Sequence, residues 1–178
     1  MKIISALIFL ILTSIVFAED NLNEVVEKFD DWQLVCFKQG NKEQCEINHI
    51  AIIQNTELEL RVVYQVVKQE ELDELIEIFS IITPLGVNLR LNTALIFPDE
   101  NRQINLSFMQ CEVYGCVLSL NNQSQNKDDL KIFNFLKEML ITKNQFSIFI
   151  DIFAEEPLEI KSSLIGFSQS LKQLKKKI

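Results

Sequence analysis

The chain has 178 residues and a net charge of -8, from 25 acidic and 17 basic side chains. That length suits one domain, and 48% hydrophobic with 24% charged residues supplies a packed core and excludes the disordered and collagen-like classes. The acidic balance disfavours nucleic acid, which needs a clustered basic face.

The first elements differ from the rest. Lys2 precedes an apolar run from Ile3 to about Ile15, and Val-Phe-Ala leads to Glu19. A charge, a short apolar core and a small terminal residue describe a secretory signal peptide over residues 1–18. The run falls short of the roughly 20 residues needed to span a bilayer. The mature domain is then expected over 19–178, exported and with no transmembrane span after signal removal. Asn21–Asp31 is expected to hold one or two helical turns.

From Trp32 the pattern becomes β-like. WQLVCF and QCEINHIAII are short and rich in β-branched and aromatic residues. In ELELRVVYQVV, Leu58, Leu60, Val62, Tyr64 and Val66 share one face of a half-buried strand. A further strand is expected from about Leu75 to Thr83, where Ile76, Ile78, Ser80 and Ile82 alternate, ended by Pro84-Leu85-Gly86. TALIF follows, then a PDEN turn begun by Pro98, then RQINLSFMQC and CVLSL as strands. Leu130, Phe133, Leu136 and Leu140 have helical spacing, so a helix is expected over about 128–140 with Asp128 or Asp129 as N-cap. QFSIFIDIF and LEIKSSLIGF make a hairpin turned at AEEP, and a short basic-ended helix closes the chain over about 167–176. Many short strands with one or two helices point to a β-sandwich or barrel, and the alternation suits a sandwich.

The four cysteines are Cys36, Cys45, Cys111 and Cys116. An even number in an exported chain reads as disulfides. The midpoint of the first pair falls between Gly40 and Asn41, which suit a two-residue hairpin turn. In that register Lys38 opposes Glu43, an opposite-charge pair, and Cys36 opposes Cys45 at a non-hydrogen-bonded site where a disulfide fits. CEVYGC repeats the pattern more tightly, with Cys111 and Cys116 flanking a four-residue loop and Gly115 available for positive φ. Zinc would need CxxC pairs or added His ligands, and His49 is the single histidine. A redox role lacks the CxxC that lowers a thiol pKa. Two structural disulfides, 36–45 and 111–116, are expected.

DWQLVC with QCEI, then LRVVYQ, PLGVNLR, FMQCEVYGCV and a late LIGF resemble the invasion associated locus B family in order and spacing, from about Asp31 to Phe167. Members usually carry Gly-Asp-Trp where this chain has Asp30-Asp31-Trp32. The resemblance implies an immunoglobulin-like β-sandwich in an exported protein of alphaproteobacteria. It implies a periplasmic, outer-membrane-associated or secreted location.

No residue pattern names a reaction. His49 has no GxSxG or HExxH around it and reads as a structural or surface residue. Glu70, Glu71, Asp73 and Glu74 lack an EF-hand pattern and read as a solvated acidic loop, as do Glu155 and Glu156 at a hairpin tip. The lysines of KQLKKKI read as offsetting a helix dipole rather than touching anionic lipid. Trp32 reads as a core or sheet-end anchor; Arg61 recurs in the family blocks. The expectation is a non-enzymatic binding or structural module of the envelope, with no catalytic, metal or cofactor residues. Its partner would be an envelope or host-surface protein, with peripheral outer-membrane association allowed. The alternative is a small periplasmic enzyme or ligand carrier with its site in loops or in a cleft between the sheets.

Overall fold

The structure is a computed structural model in which residues 23–39, 42–53, 58–69, 74–151 and 157–178 are described. Eleven strands and two helices occur among them, in the order β1 (Asn23–Phe29), β2 (Trp32–Gln39), β3 (Lys42–Ile52), β4 (Glu59–Gln69), β5 (Glu74–Thr83), β6 (Thr93–Ile96), β7 (Gln103–Leu106), β8 (Phe108–Glu112), β9 (Gly115–Asn121), α1 (Lys127–Thr142), β10 (Gln145–Ile150), β11 (Leu158–Ser163) and α2 (Phe167–Leu174). They form a seven-stranded sheet, β1-β2-β3-β4-β5-β9-β8, and a four-stranded sheet, β11-β10-β6-β7. The chain is a mainly β sandwich. One face of the large sheet, the small sheet and both helices enclose a single core.

Alternation places that core. On β4, Leu60, Val62, Tyr64 and Val66 are buried, as the sequence pattern requires. On β5 the buried set is Glu77, Phe79, Ile81 and Thr83. Ile76, Ile78, Ser80 and Ile82 lie half-buried on the opposite face.

Several sequence expectations are corrected. Asn23–Phe29 is a strand rather than helical turns, paired with β2 from Asn23↔Lys38 to Phe29↔Trp32. The two-residue link Asp30-Asp31 returns the chain onto the free edge of β2, whose ladder bonds outweigh the weak local helical preference. Asp30 takes φ 51, a left-handed conformation that Asp tolerates better than most residues and Gly best.

RQINLSFMQC is not one strand. β7 pairs with β6 in the small sheet, and β8 pairs with β9 in the large one. The chain changes sheets at Ser107, whose hydroxyl donates to Asn92 Oδ1 at 3.0 Å. Helix α1 is capped by Asn126, whose side chain accepts from the Asp128 amide at 2.9 Å. Asp128 and Asp129 therefore occupy the first turn, where their charge complements the positive helix end. The Pro98 turn is as expected: Glu100 N donates to Phe97 O at 3.2 Å. Asp99 takes φ 65, as residue three of a type II turn requires.

Candidate functional site

Both cysteine pairs close β-hairpins. Cys36 is joined to Cys45, with Cα atoms 4.1 Å apart, and Cys111 to Cys116, with Cα atoms 3.9 Å apart. Gln39 pairs with Lys42, Lys38 with Glu43 and Cys36 with Cys45, the register read from the sequence. Gly40 and Asn41, the expected turn, lie outside the described residues. The second hairpin is tighter than expected. Glu112 pairs with Gly115, so the turn is Val113-Tyr114 rather than a four-residue loop. Gly115 has φ 145, and a Cβ there would collide with the Thr83 carbonyl. Glu43 lies beside the first cystine, but both sulfurs are bonded to each other and offer no thiolate to a metal. Non-reducing peptide mapping is expected to recover the 36–45 and 111–116 links, and a dominant 36–111 or 45–116 link would contradict this register.

Trp32 is an anchor. It is buried, and its Nε1 donates to Ser163 O at 2.9 Å, tying β2 to β11. Its ring stacks on His49 at 5.7 Å and meets the edge of Phe167 at 4.9 Å. His49 Nδ1 lies 2.8 Å from the Asp31 carbonyl, which can only accept, so Nδ1 carries the proton. A neutral ring then keeps its lone pair on Nε2. A cavity of about 160 Å³ opens here, lined in part by Lys28, Asp30, Asp31 and His49. Two others have volumes of about 230 Å³ beside Glu159 and Lys161 and about 360 Å³ beside Asp99 and Lys143. Nothing among the described residues gives His49 a nucleophile or carboxylate partner.

A carboxylate that sequence reading passed over organises the interior. Glu77 faces the core from β5. It accepts from Tyr64 Oη at 2.9 Å, from Lys175 Nζ at 3.0 Å and from Lys137 Nζ. Asn122 positions the strand by accepting from Glu77 N at 3.0 Å and donating to Leu75 O at 3.0 Å. Burial would raise the Glu77 pKa. The hydrogen bonds from Lys137, Lys175 and Tyr64 and the charge of Lys137 outweigh it and hold the carboxyl below its ordinary value. Burial, then the charge and hydrogen bond of Glu77, push Tyr64 upward, so its hydroxyl remains a donor. One carboxylate thereby ties both helices to the sheet. The strand β5 hides it, because only its neighbours in three dimensions distinguish Glu77 from the solvated Glu74.

The tail lysines are corrected accordingly. Lys175 reaches Glu77, and Lys177 Nζ lies 3.8 Å from Glu27, so these two serve ion pairs rather than the α2 dipole. Arg61 lies on the outer face of the large sheet, paired with Glu46, which also accepts from Gln65 at 2.8 Å and Asn48 at 3.2 Å. Glu74 is exposed and accepts from Gln123 at 3.2 Å. Glu70, Glu71, Asp73, Glu155 and Glu156 lie outside the described residues, as does the 1–18 segment.

One end of the sandwich is apolar. Thr83 pairs with Cys116, so the loop leaving β5 starts beside the Val113-Tyr114 turn. Leu85 (52%), Leu89 (55%) and Leu91 (49%) are exposed on that loop, and Met109 (68%), Val113 (92%) and Tyr114 (64%) on the hairpin. Asn88 fixes the loop to the small sheet, its amide N donating to Asp151 O at 3.0 Å and its side chain donating to Asp151 Oδ2 at 2.9 Å.

No curated protein matches the chain. It is similar to a solved structure, the crystal structure of invasion associated protein b from Bartonella henselae, at 18% identity. The likeness covers 86% of this chain and 96% of that one with a TM-score of 0.60, and it speaks for the fold. The family model described as invasion associated locus B (IalB) protein matches residues 32–175. The match runs from the Trp32 anchor, through both cystine hairpins, to the Lys175 that reaches Glu77. The chain belongs to the invasion associated locus B family.

Proposed function

We propose that the protein is an exported, non-enzymatic binding or structural module of the cell envelope, held in the periplasm, on the outer membrane or outside the cell. The apolar end carries this reading. Six large apolar side chains are held in water by a disulfide-clamped hairpin and a pinned loop. A monomer gains nothing by that exposure, and such patches mark contact surfaces. Rigid presentation also lowers the ordering entropy of binding. Catalysis would need titratable groups converging on one cavity, and beside the cavity of about 160 Å³ the His49 Nδ1 is engaged by the Asp31 carbonyl rather than by a carboxylate. Membership of the family, not known as one of enzymes, and the two disulfides support export. Among the described residues no helix is long and apolar enough to cross a membrane.

The partner is expected to be an envelope or host-surface protein. A photoactivatable crosslinker placed at Val113 in living cells should give a discrete adduct with one envelope component. The same probe at Lys131, on α1, should not. The Leu89→Ser/Tyr114→Ser double variant should weaken the adduct at least tenfold. Equal labelling from both positions would count against the apolar end as the contact.

A further inference from the structure

The two cystines differ in what surrounds them. Cys36 stands between Val25 of β1 and Cys45 of β3, and Cys36 and Cys45 are both buried, at 1% and 9% exposure. Cys111 lies on β8, at the edge of the large sheet, and pairs with Cys116 of β9. Cys116 is buried, whereas Cys111 is exposed.

We infer that the Cys111–Cys116 cystine is a site of thiol–disulfide exchange in the folded protein, opened at Cys111 by a dithiol reductant while Cys36–Cys45 stays closed, and that opening it loosens the hairpin bearing Val113 and Tyr114.

Exchange begins when a thiolate reaches one sulfur of a disulfide, so access selects the bond that reacts. The reductant's thiolate bonds to Cys111 Sγ. The bond between the two cysteine sulfurs breaks, its electron pair leaves on Cys116 Sγ, and Cys116 takes up a proton. The reductant's second thiol loses its proton and attacks the mixed disulfide, which releases Cys111 to be protonated in turn. The reductant ends as a disulfide and the chain as two thiols, a transfer of two electrons and two protons. This chain is the one attacked, so it needs no CxxC of its own to lower a thiol pKa. A buried Cys116 thiol packs as a small apolar side chain, so the core accepts the reduced form.

The pairing confines the effect to β8. β9 is held to β5 by an unbroken ladder from Ile78↔Asn121 to Thr83↔Cys116, and Thr83 Oγ1 donates to Cys116 O at 3.1 Å. Cys116 therefore keeps its place when the cystine opens. β8 is held less firmly. Its register against β9 shifts between Phe108 and Gln110, as at a bulge, where the ladder is locally disrupted. Beyond the shift come Gln110↔Val117, Cys111↔Cys116 and Glu112↔Gly115, with the covalent link in the middle. A short edge segment that loses such a link opens locally without the rest of the fold. Cys36–Cys45 instead lies within an unbroken ladder from Gln33↔Asn48 to Gln39↔Lys42, and both residues belong to the core. Where the apolar end is a contact surface, a loosened hairpin raises the ordering entropy that a partner must overcome. That consequence rests on the contact reading; the exchange itself does not.

The test uses the oxidised full chain in native buffer with dithiothreitol as the dithiol. Samples are quenched in acid, unfolded, alkylated and mapped by peptide mass spectrometry. The 111–116 link should disappear at least tenfold faster than the 36–45 link, with unchanged far-ultraviolet circular dichroism. With glutathione in place of dithiothreitol, the mixed disulfide should be found on Cys111. Hydrogen exchange of the amides of residues 109–114 should quicken at least tenfold on reduction, while β2 and β3 keep their protection. The Cys111→Ala/Cys116→Ala variant should reproduce that pattern without any reductant. Equal rates for the two links, or earlier loss of 36–45, overturn the inference. So does a mixed disulfide on Cys116, a reduced chain that unfolds, or unchanged exchange over residues 109–114. The Val113 crosslinking result decides the contact reading separately, since none of these measurements involves a partner.

Discussion

Replacing Phe167 with alanine is expected to lower the unfolding free energy by about 3–5 kcal/mol, the usual range for a buried phenylalanine. Phe167 opens α2 and has no exposed surface. Its ring meets Trp32 edge-on at 4.9 Å and Tyr64 at 5.6 Å. Aromatic pairs of this geometry add about 0.5–1.5 kcal/mol each beyond the area they bury. The site cannot relax to fill the gap. Gly166, just before it, has φ 93 and sits so close to the Phe29 carbonyl that a Cβ would collide with it. The start of α2 is thus fixed by backbone against backbone. Urea unfolding with both disulfides oxidised measures the loss through the midpoint and slope. Trp32 is the single tryptophan, so its emission should shift to the red as α2 loosens. A loss under about 1 kcal/mol with unchanged emission would show that the ring does not hold the helix.

The second large effect is expected at Glu77. Glu77→Gln should cost about 1–3 kcal/mol at neutral pH, because the charge-assisted bonds from Lys137 and Lys175 are lost in a buried setting. The cost stays below that of a fully enclosed ion pair. Lys137 and Lys175 are 31% and 42% exposed, so they can return to water. The acid limb gives a sharper test. The folded carboxyl has a pKa below the ordinary 4.5. Above 4.5 its full contribution is present. As pH falls through 4.5 the unfolded carboxyl takes up its proton first, while the folded one stays charged. The unfolded state then binds more protons, and stability drops until the folded carboxyl is also protonated. Wild type should therefore lose more stability on acidification than Glu77→Gln, and the two curves should converge at low pH. Parallel curves would mean that Glu77 has the same pKa folded and unfolded.

The cysteine hairpins were legible because their information is local. A two-residue turn fixes the register of everything that follows it, so Gly40-Asn41 placed Cys36 opposite Cys45 before any tertiary contact was known. The 111–116 hairpin is tighter than its cysteine spacing suggests, since Gly115 is the first strand residue, pressed against Thr83. The strands β4 and β5 were visible in their alternation, and both helices in their spacing. β1 departs from its local pattern because a short segment with mixed propensity takes the structure its neighbour offers, here the open edge of β2. RQINLSFMQC has the pattern of one strand because a change of sheet leaves little trace in a run of alternating residues.

Turn chemistry and cysteine spacing carry the two disulfides, residue alternation carries the mainly β class, and the order of blocks from Asp31 to Phe167 carries the family. Tertiary structure alone decided that Glu77 is an interior anchor and Glu74 a solvated one, though they lie on the same strand. It also decided that Lys175 belongs to Glu77, and that the loop leaving β5 starts beside the β8–β9 turn. The reason is physical. Periodicity says which residues share a face, but not what lies opposite that face. For a carboxylate, only the lysines and tyrosine brought to it by distant elements separate a buried, paired charge from one left in water.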